Sequence, residues 1–454
     1  MAESTNNTLG ETLALLVAGK KYSAARDVLE TMHAADIAAM LEECPKEVVP
    51  LLFRLLPKEL AADTFVQMQE DHQQLLIQSF SDSELKEVVD ELYVDDAVDL
   101  VEEMPANVVR RILRQADPEK RKMINEILKY PEDSAGSIMT TEYVSLRPGM
   151  TVEDAIKRIR RTGIDKETIN TCYVTDDNRK LLGIVTVRTL LLAEENSLME
   201  EIMTEEVISA LTTEDRETVA LSFTKYDLSA MPVVDEENRL VGIVTVDDVM
   251  DVLQEETTED IEKMSAIMPL EKPYLKTGVL EIFKSRIPWL FILMISAAFT
   301  GMIITKFENA LAAQLALVAS IPMLMGTGGN CGSQSSVTVI RGLSIGEIEF
   351  GDILKIMWKE LRVAILCGVS LAIVNFAKLM VFDNLNYLVA LVISITLLLD
   401  VIVAKIVGCT LPLIADKLGF DPAVMASPFI TTIVDAISLV IYFEIAVIML
   451  NIAV

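Results

Sequence analysis

The sequence is poor in the residues that build transition-metal and redox centres. Its 454 residues include two histidines and five cysteines, and no CxxC pair is present. Zinc and iron sites depend on imidazole and thiolate ligands at characteristic spacings, so this composition argues against catalysis at such a metal. We expect free thiols and no disulfide framework from the widely spaced Cys44, Cys172, Cys331, Cys367 and Cys409.

Basic residues are also scarce, because 39 Lys and Arg stand against 68 Asp and Glu, for a formal net charge of −29. Nucleic-acid binding needs a basic face that neutralises phosphates, so we expect no nucleic-acid partner. Residues 281–454 contain twelve acidic and ten basic residues, which leaves 56 acidic and 29 basic residues in 1–280. The sequence therefore predicts an acidic, water-exposed front joined to a nearly neutral, apolar back.

Long runs of low charge in the apolar back predict five membrane-spanning helices. Each run supplies the roughly 20 apolar residues that a spanning helix needs. The runs are Ile287–Thr305, Asn309–Ile340, Val363–Phe382, Asn384–Ala415 and Pro422 to the C-terminus. Lys284 and Arg286 precede the first run, and four more basic residues lie between the second and the third. By the positive-inside rule, we expect a cytoplasmic front and an external C-terminus.

The front contains two internal repeats, and the first predicts a helical domain. Residues 36–49 (DIAAMLEECPKEVV) return as residues 96–109 (DAVDLVEEMPANVV), at an offset of 60. Apolar residues recur there at helical spacing, and prolines separate the segments. We predict an all-α superhelical domain, a small solenoid of helix pairs, over residues 1–134.

The second repeat lies within residues 135–256. The tripeptide IMT at Ile138 returns at Ile202, and YVTDDNRKLLGIVTV from Tyr173 returns as PVVDEENRLVGIVTV from Pro232. The first copy carries about five extra residues near 163–170. Apolar strand runs around polar turns, followed by helices, predict small α/β units. The pattern resembles a tandem pair of cystathionine-β-synthase (CBS) modules, which form one pseudo-dimeric unit.

The CBS resemblance raises the question of a nucleotide site. CBS pairs often bind adenine nucleotides such as ATP, with an acid three residues after the Thr of GxxT contacting the ribose. The second copy has Gly242, Thr245 and Asp248, whereas the first has Thr189 where the acid would stand. The resemblance therefore implies at most one complete site, at Asp248, and a CBS pair without nucleotide is the alternative.

Carboxylates cluster where the second CBS copy ends. Two sets of acids each share a face of a predicted helix: Asp248, Asp251 and Glu255, and Glu256, Glu259 and Asp260. Like charges at this spacing destabilise a helix, and carboxylate oxygens suit hard divalent cations such as Mg²⁺. We predict a divalent-cation site here, with a solvated acidic face as the alternative. A second acidic group, Asp90, Glu91, Asp95, Asp96 and Asp99, lies in the helical domain.

Two predicted spans carry unusual residues. The second contains Gly326, Gly328, Gly329 and Gly332, which permit either local unwinding beside a cavity or close helix packing. The fifth contains Asp435, on one stripe with Thr431 and Ser438. A carboxylate at mid-membrane is costly and marks function, although a salt bridge to Lys405 is the structural alternative.

The order of these parts resembles the MgtE magnesium channels: an acidic helical domain, a tandem CBS pair, an acidic connecting helix and five spans. The runs GGNCGSQ (328–334) and PFITTIVDAISLVIYF (428–443) resemble that family's spans two and five. The resemblance covers essentially the whole chain. It implies a connecting plug helix over 257–280, a membrane domain over 281–454, and a homodimer in a bacterial cell membrane with its pore between spans two and five.

The resemblance also carries functional roles onto matching positions. It implies that Asp435 of each subunit binds Mg²⁺ in the pore and that Asp421 lies at the pore mouth. Regulatory acids match at Asp95, Asp99, Asp227, Asp248, Glu256, Glu259 and Asp260, and the acidic face of the predicted helix adds Asp251. Candidate pore-lining residues are Gly328, Gly329, Asn330, Gln334, Thr431 and Ser438, of which the two amides suit a hydrated ion's water shell.

We therefore expect a channel that admits Mg²⁺ to the cytosol and closes when cytosolic Mg²⁺ binds between the helical domain, the CBS pair and the connecting helix. No GxxxxGK[ST] motif is present, so the membrane potential would drive the ion. Alternatives are a transporter of Co²⁺ or Mn²⁺, a transporter of another solute such as an anion, and a membrane-anchored nucleotide sensor or enzyme. We find no nucleophile–base pair and expect no enzyme activity.

Overall fold

The computed structural model describes residues 2–270, 274–275, 277–307, 315–425 and 427–451. The chain divides into two units, residues 1–253 and residues 254–454. The first unit has a helical domain followed by two α/β modules, and the second contains the apolar helices. The predicted fold class is confirmed. The domain boundaries at residues 134, 256 and 280 stay predictions.

Ten helices form the helical domain in its described residues. They are α1 (Ala2–Ala18), α2 (Tyr22–Leu29), α3 (Ala34–Glu43), α4 (Val49–Phe53), α5 (Lys58–Val66), α6 (Glu70–Ser79), α7 (Asp82–Glu91), α8 (Val94–Glu103), α9 (Ala106–Gln115) and α10 (Pro118–Ile127). Helices α3 and α8 carry the first sequence repeat, and each ends two residues before a proline. Because proline disfavours helical backbone in the preceding residue, Cys44 and Met104 are extended, with ψ angles of 153° and 145°.

Two α/β modules follow, each with a three-stranded sheet in the described residues. The first contains β1 (Ser145–Leu146), α11 (Val152–Thr162), β2 (Thr171–Thr175), β3 (Leu181–Thr186), α12 (Val187–Leu192) and α13 (Met199–Ile202). The second contains β4 (Ala210–Leu211), α14 (Arg216–Tyr226), β5 (Ala230–Val234) and β6 (Leu240–Thr245). In each module the first strand is parallel to the second, and the second is antiparallel to the third.

The IMT and GIVTV repeats pair across the two modules. Thr140 bridges Ile243 of β6, and Thr204 bridges Ile184 of β3. Gly242 is required at this contact, because an added Cβ would lie 2.7 Å from the Thr140 carbonyl oxygen. The IMT segment of each copy therefore pairs with the GIVTV strand at the edge of the other module's sheet. This mutual pairing explains why both sequence signatures occur twice.

The five extra residues of the first copy lie between its helix and its second strand. Helices α11 and α14 begin 64 residues apart, whereas β2 and β5 begin 59 residues apart. The difference is taken up after α11, where the chain forms a 3₁₀ turn over Gly163–Asp165. The following residues, up to β2, are specific to the first module.

The acidic segment forms α15 (Val246–Met264), which continues directly from β6. Five further helices among the described residues are long and apolar enough to span a membrane, which confirms the predicted number. They are α16 (Val279–Lys306), α17 (Leu315–Ser344), α18 (Ile353–Val381), α19 (Tyr387–Lys417) and α20 (Ser427–Leu450). The predicted start of the second span, at Asn309, lies outside the described residues.

The glycine-rich run is helical throughout, so of the two alternatives that the sequence left open, close packing is observed and local unwinding is not. Helix α17 continues without a break through residues 326–332. Its glycines permit close packing instead: a Cβ added to Gly408 of α19 would collide with the carbonyl oxygen of Gly332. Small residues at such crossings let helix backbones approach closely, which is the packing alternative raised by the sequence.

Candidate functional site

Three carboxylates of the first unit converge on one point. Ligand oxygens of Asp95, Glu142 and Glu167 all lie within 4.8 Å of one another. Asp95 is in the first turn of α8, Glu142 follows the Thr140 bridge, and Glu167 follows the 3₁₀ turn of the first module. The Glu142 carboxylate accepts a hydrogen bond from the Val94 amide at 3.1 Å, and the Glu142 carbonyl accepts one from the Glu167 amide at 2.9 Å. Backbone contacts thus tie Glu142 to the start of α8, which carries Asp95, and to Glu167.

Burial makes these carboxylates costly to ionise. Asp95 is 6% exposed, and burial, with repulsion from Asp248, raises its pKa. Burial, with repulsion from Asp247, raises the pKa of Glu167 to about 8, and burial also raises that of Glu142. A bound cation removes such a penalty by favouring the charged form.

The spacing suits a partly hydrated Mg²⁺. Ligand oxygens around Mg²⁺ lie ~2.1 Å from the ion and so at most ~4.2 Å apart. Three oxygens within 4.8 Å of one another can therefore hold the ion directly or, where a pair lies more than ~4.2 Å apart, with one contact made through a water.

Further acids surround the trio (Asp95, Glu142 and Glu167). Burial, together with neighbouring carboxylates, raises the pKa of Asp96 to about 6, that of Asp99 to about 8 and that of Asp248 to about 7. The Asp248 carboxylate also accepts a hydrogen bond from Thr245 Oγ1 at 2.7 Å. Of the predicted regulatory acids, Asp95, Asp99 and Asp248 thus belong to one electrostatic cluster.

Sequence reasoning missed Glu142 and Glu167. Glu142 stands two residues after the repeated IMT, and Glu167 lies in the extra segment of the first copy. For Glu167 the insertion was an available signal. Residues that only one of two repeats contains are not needed for the shared fold, so they are candidates for a functional role.

Three other predicted ligands lie elsewhere in the fold. Asp227 is exposed at the left-handed end of α14, with φ of 52°, and Asp251 is exposed on α15. Glu256 is half-buried on the same helix. Across the described ranges, no group of three ligating side chains within 4.8 Å includes any of them.

The end of α15 carries a basic residue within its acidic face. Lys263 Nζ lies 2.6 Å from Glu259 Oε1 and 2.7 Å from Asp421 Oδ2. Burial alone would lower the pKa of Lys263, but hydrogen bonds to Asp421 and Glu259 raise it above its usual value. Burial, with repulsion from Asp421, raises the pKa of Asp260, which accepts a hydrogen bond from Ser344 at 3.3 Å. The predicted pore-mouth acid is therefore paired with a lysine that the sequence analysis overlooked.

Asp435 is half-buried on α20, and its Oδ1 atom is buried without a hydrogen-bond partner among the described residues. Lys405 does not neutralise it. Lys405 Nζ lies 3.5 Å from Glu360 Oε2 and 3.2 Å from Ser335 Oγ, and Ser335 donates to Glu360 at 2.6 Å. The salt-bridge alternative for Asp435 is therefore wrong in this structure.

The predicted pore-lining residues fall into two groups. Asn330 and Gln334 are exposed, one turn apart, on the surface of α17. Gly328, Gly329 and Ser438 are buried within the chain, and Thr431 is half-buried. Gly329 packs against the Thr431 methyl group, and Ser438 donates a hydrogen bond to Asp400. Of the six predicted pore-lining residues, only these two amides are exposed.

Comparison with known proteins places these features in a family. Residues 321–445 match the family model described as "Divalent cation transporter", residues 32–133 match the "MgtE intracellular N domain", and residues 135–196 and 199–255 match the CBS domain. These matches cover the helical domain from α3 onward, both α/β modules and most of the apolar helices.

Relatives of nearly full length carry one name. The chain is 37% identical to the magnesium transporter MgtE of Thermus thermophilus, over 94% of this chain and 95% of that protein. It is 32% identical to magnesium transporter MgtE of Bacillus subtilis, over 96% of each. A solved structure titled as the cytosolic domain of the Mg²⁺ channel MgtE in complex with ATP covers 54% of this chain and 99% of its own, at 37% identity and a TM-score of 0.51. With its five apolar helices the chain is a multi-pass membrane protein, and it belongs to the MgtE family of magnesium transporters.

Proposed function

We propose that the protein is a homodimeric channel that admits Mg²⁺ to the cytosol through a pore between α17 and α20. One observation carries this proposal: the carboxylate of Asp435 lies within a membrane-spanning helix, with an oxygen that no described residue satisfies. A carboxylate without a partner in an apolar helix is costly unless a cation uses it.

The chemistry of two exposed residues of α17 fits a hydrated ion. Mg²⁺ sheds water reluctantly, so a pore recognises it through few carboxylates and through groups that contact its water shell. Asn330 and Gln334 are exposed on α17 and offer amide oxygens for such contacts. Outer-shell binding is weak enough to release the ion again.

The membrane potential supplies the driving force. Moving two charges across 100 mV yields about 4.6 kcal/mol, twice the single-charge value. With the front in the cytoplasm, as the basic residues beside the first span indicate, this potential draws Mg²⁺ inward.

Cytosolic Mg²⁺ closes the channel by binding the acidic clusters. The first cluster consists of Asp95, Asp99 and Asp248, to which we add Glu142 and Glu167 because their carboxylates converge on Asp95. A second set, Glu256, Glu259 and Asp260, lies on α15, with Asp421 beside it. Mg²⁺ stabilises the closed state to the extent that this state binds more ions than the open one. Asp227 and Asp251 contribute at separate sites.

Adenine nucleotide is a second candidate ligand of the CBS pair. The ATP complex of the related cytosolic domain and the GxxT–Asp sequence that ends at Asp248 both favour it. Binding of MgATP to the full chain, weakened in Asp248→Asn, would support it. Transport of Co²⁺ or Mn²⁺ in place of Mg²⁺ is the alternative substrate assignment.

Flux into proteoliposomes tests the channel proposal. Wild-type protein should take up Mg²⁺ under an inside-negative potential, and Asp435→Ala and Asp435→Asn should abolish uptake. Glu444→Gln is the matched control, because Glu444 is an exposed acid on the same helix. Full flux in both Asp435 variants would refute this pore assignment. Faster uptake of Co²⁺ or Mn²⁺ than of Mg²⁺ would favour the alternative substrate.

A further inference from the structure

A second carboxylate lies inside the membrane unit, in the middle of α19. Asp400 has no exposed surface, and Ser438 of α20 donates a hydrogen bond to its Oδ1 atom. Its Oδ2 atom is buried without a hydrogen-bond partner among the described residues. Lys405, one and a half turns along the same helix, pairs with Glu360 and does not compensate it. A carboxyl group buried in a membrane-spanning helix costs free energy, and the proposed role of Asp435 does not explain why Asp400 is there.

Asp400 also contacts the other helix of the proposed pore. A Cβ added to Gly328 of α17 would lie 2.6 Å from Asp400 Oδ1 and 2.7 Å from Oδ2. Only a residue without a side chain leaves room for the carboxyl group here. Asp400 thus touches α17 at Gly328 and α20 at Ser438, which is three residues after Asp435 and on the same face.

We propose that Asp400 is a positioning residue that sets the relative register of α17 and α20 and thereby aims Asp435 into the ion pathway. This inference rests on the proposed function. Direct binding of a hydrated ion to Asp400 is disfavoured, because the side chain is fully enclosed by its own chain. Asp400 acts on Asp435 through Ser438. The hydrogen bond from Ser438 to Asp400 fixes the turn of α20 that contains Asp435.

The first test compares the Mg²⁺ dependence of flux in well-folded Asp400 and Ser438 variants. Asp400→Ala and Ser438→Ala should raise the half-saturating Mg²⁺ concentration about tenfold, the scale expected for loss of one buried hydrogen bond. Asp400→Asn keeps the acceptor for Ser438 and should stay within about twofold of wild type. Ser394→Ala is the matched control, because Ser394 is a buried serine of α19 whose Oγ has no hydrogen-bond partner among the described residues. A merely structural role would lower the yield of folded protein and leave the half-saturating concentration unchanged, which would overturn the proposal.

The second test exploits the contact with Gly328. Gly328→Ala should displace Asp400 and raise the half-saturating Mg²⁺ concentration as Asp400→Ala does. In the Asp400→Ala background the added methyl has room, so the double variant should match Asp400→Ala alone. Gly301→Ala is the control, because nothing lies within 4 Å of a Cβ at that position in α16. Additive effects in the double variant would contradict the proposed contact.

Asp435→Asn, measured in parallel, separates the positioning role of Asp400 from the assignment of the pore to Asp435. Loss of flux in Asp435→Asn with wild-type behaviour of Asp400→Ala and Gly328→Ala would overturn this inference and keep the pore. Full flux in Asp435→Asn would overturn the pore itself.

Discussion

Lys263 Nζ lies 2.7 Å from Asp421 Oδ2, so the connecting helix brings a cation of its own to the predicted pore-mouth acid. The same ammonium group lies 2.6 Å from Glu259. The lysine thus neutralises part of the charge of two carboxylates that the sequence names as candidate Mg²⁺ ligands. An Mg²⁺ ion bound by these carboxylates, as proposed, would compete with the lysine for the same oxygens.

Removing this lysine should increase the dependence of the connecting helix on Mg²⁺. In Lys263→Met, Glu259, Asp260 and Asp421 lose their internal cation and repel one another until Mg²⁺ binds. Without Mg²⁺, α15 should be cleaved faster in limited proteolysis, and the Mg²⁺ concentration that protects it by half should fall several-fold. Lys355→Met, which removes an exposed lysine paired with Asp352, serves as the control. An unchanged protection curve would show that Lys263 does not compete with the ion.

Neutralising the newly identified carboxylates should weaken Mg²⁺ binding by the first unit. Glu142→Gln and Glu167→Gln each remove a charged ligand, so the half-inhibitory cytosolic Mg²⁺ concentration should rise about three- to tenfold. Without Mg²⁺ the same variants should be more resistant to urea, because burial penalises the ionised carboxylates in the native state. Glu194→Gln, at an exposed position, is the control for a general charge effect. Unchanged inhibition in both variants would remove them from the regulatory site.

The stability of the first unit should depend on pH when Mg²⁺ is withheld. Folding raises the pKa of Asp99 and Glu167 to about 8 and that of Asp248 to about 7. The native state then binds more protons than the unfolded state between about pH 4 and pH 8, so stability falls as pH rises through this range and levels off above it. The urea midpoint, followed by pulse proteolysis with fragments of the first unit identified, should decline from pH 5.5 to pH 8.

Millimolar Mg²⁺ provides the control for this pH series. A bound cation favours the ionised carboxylates, so it should flatten the decline. Equal slopes with and without Mg²⁺ would argue that the cation binds elsewhere.

Lys405 and Glu360 form an ion pair in the membrane unit, and we expect the loss of one partner to be more destabilising than the loss of both. Lys405 is 5% exposed, and its removal leaves Glu360 without its charge partner. Breaking such a pair costs about 3–5 kcal/mol, whereas replacing both partners is often nearly neutral. Lys405→Met should lower the thermal aggregation temperature in detergent more than Lys405→Met with Glu360→Gln does. A double variant less stable than the single one would show that each residue has other essential contacts.

Much of the architecture could be predicted because its signals are local. The IMT and GIVTV repeats identify the CBS pair, since each signature forms one edge of the contact with the other copy. Uncharged runs identify the spans, because each helix must satisfy the bilayer along its own length. Asp435 stands out for the same reason: an acid in the middle of an apolar run is visible without knowledge of its neighbours.

The partners of the charged residues depended on the tertiary structure. Glu142 contacts the start of α8 from 48 residues along the chain, and no periodicity predicts that approach. Lys405 pairs with Glu360 of another helix, and Asp400 contacts Ser438 and Gly328, because helix crossings decide which faces meet. The glycine run also permitted both unwinding and packing, and the close crossing of α17 with α19 decided for an unbroken helix. Hydropathy and spacing describe one segment at a time, whereas the energy of a buried charge depends on what the folded chain places beside it.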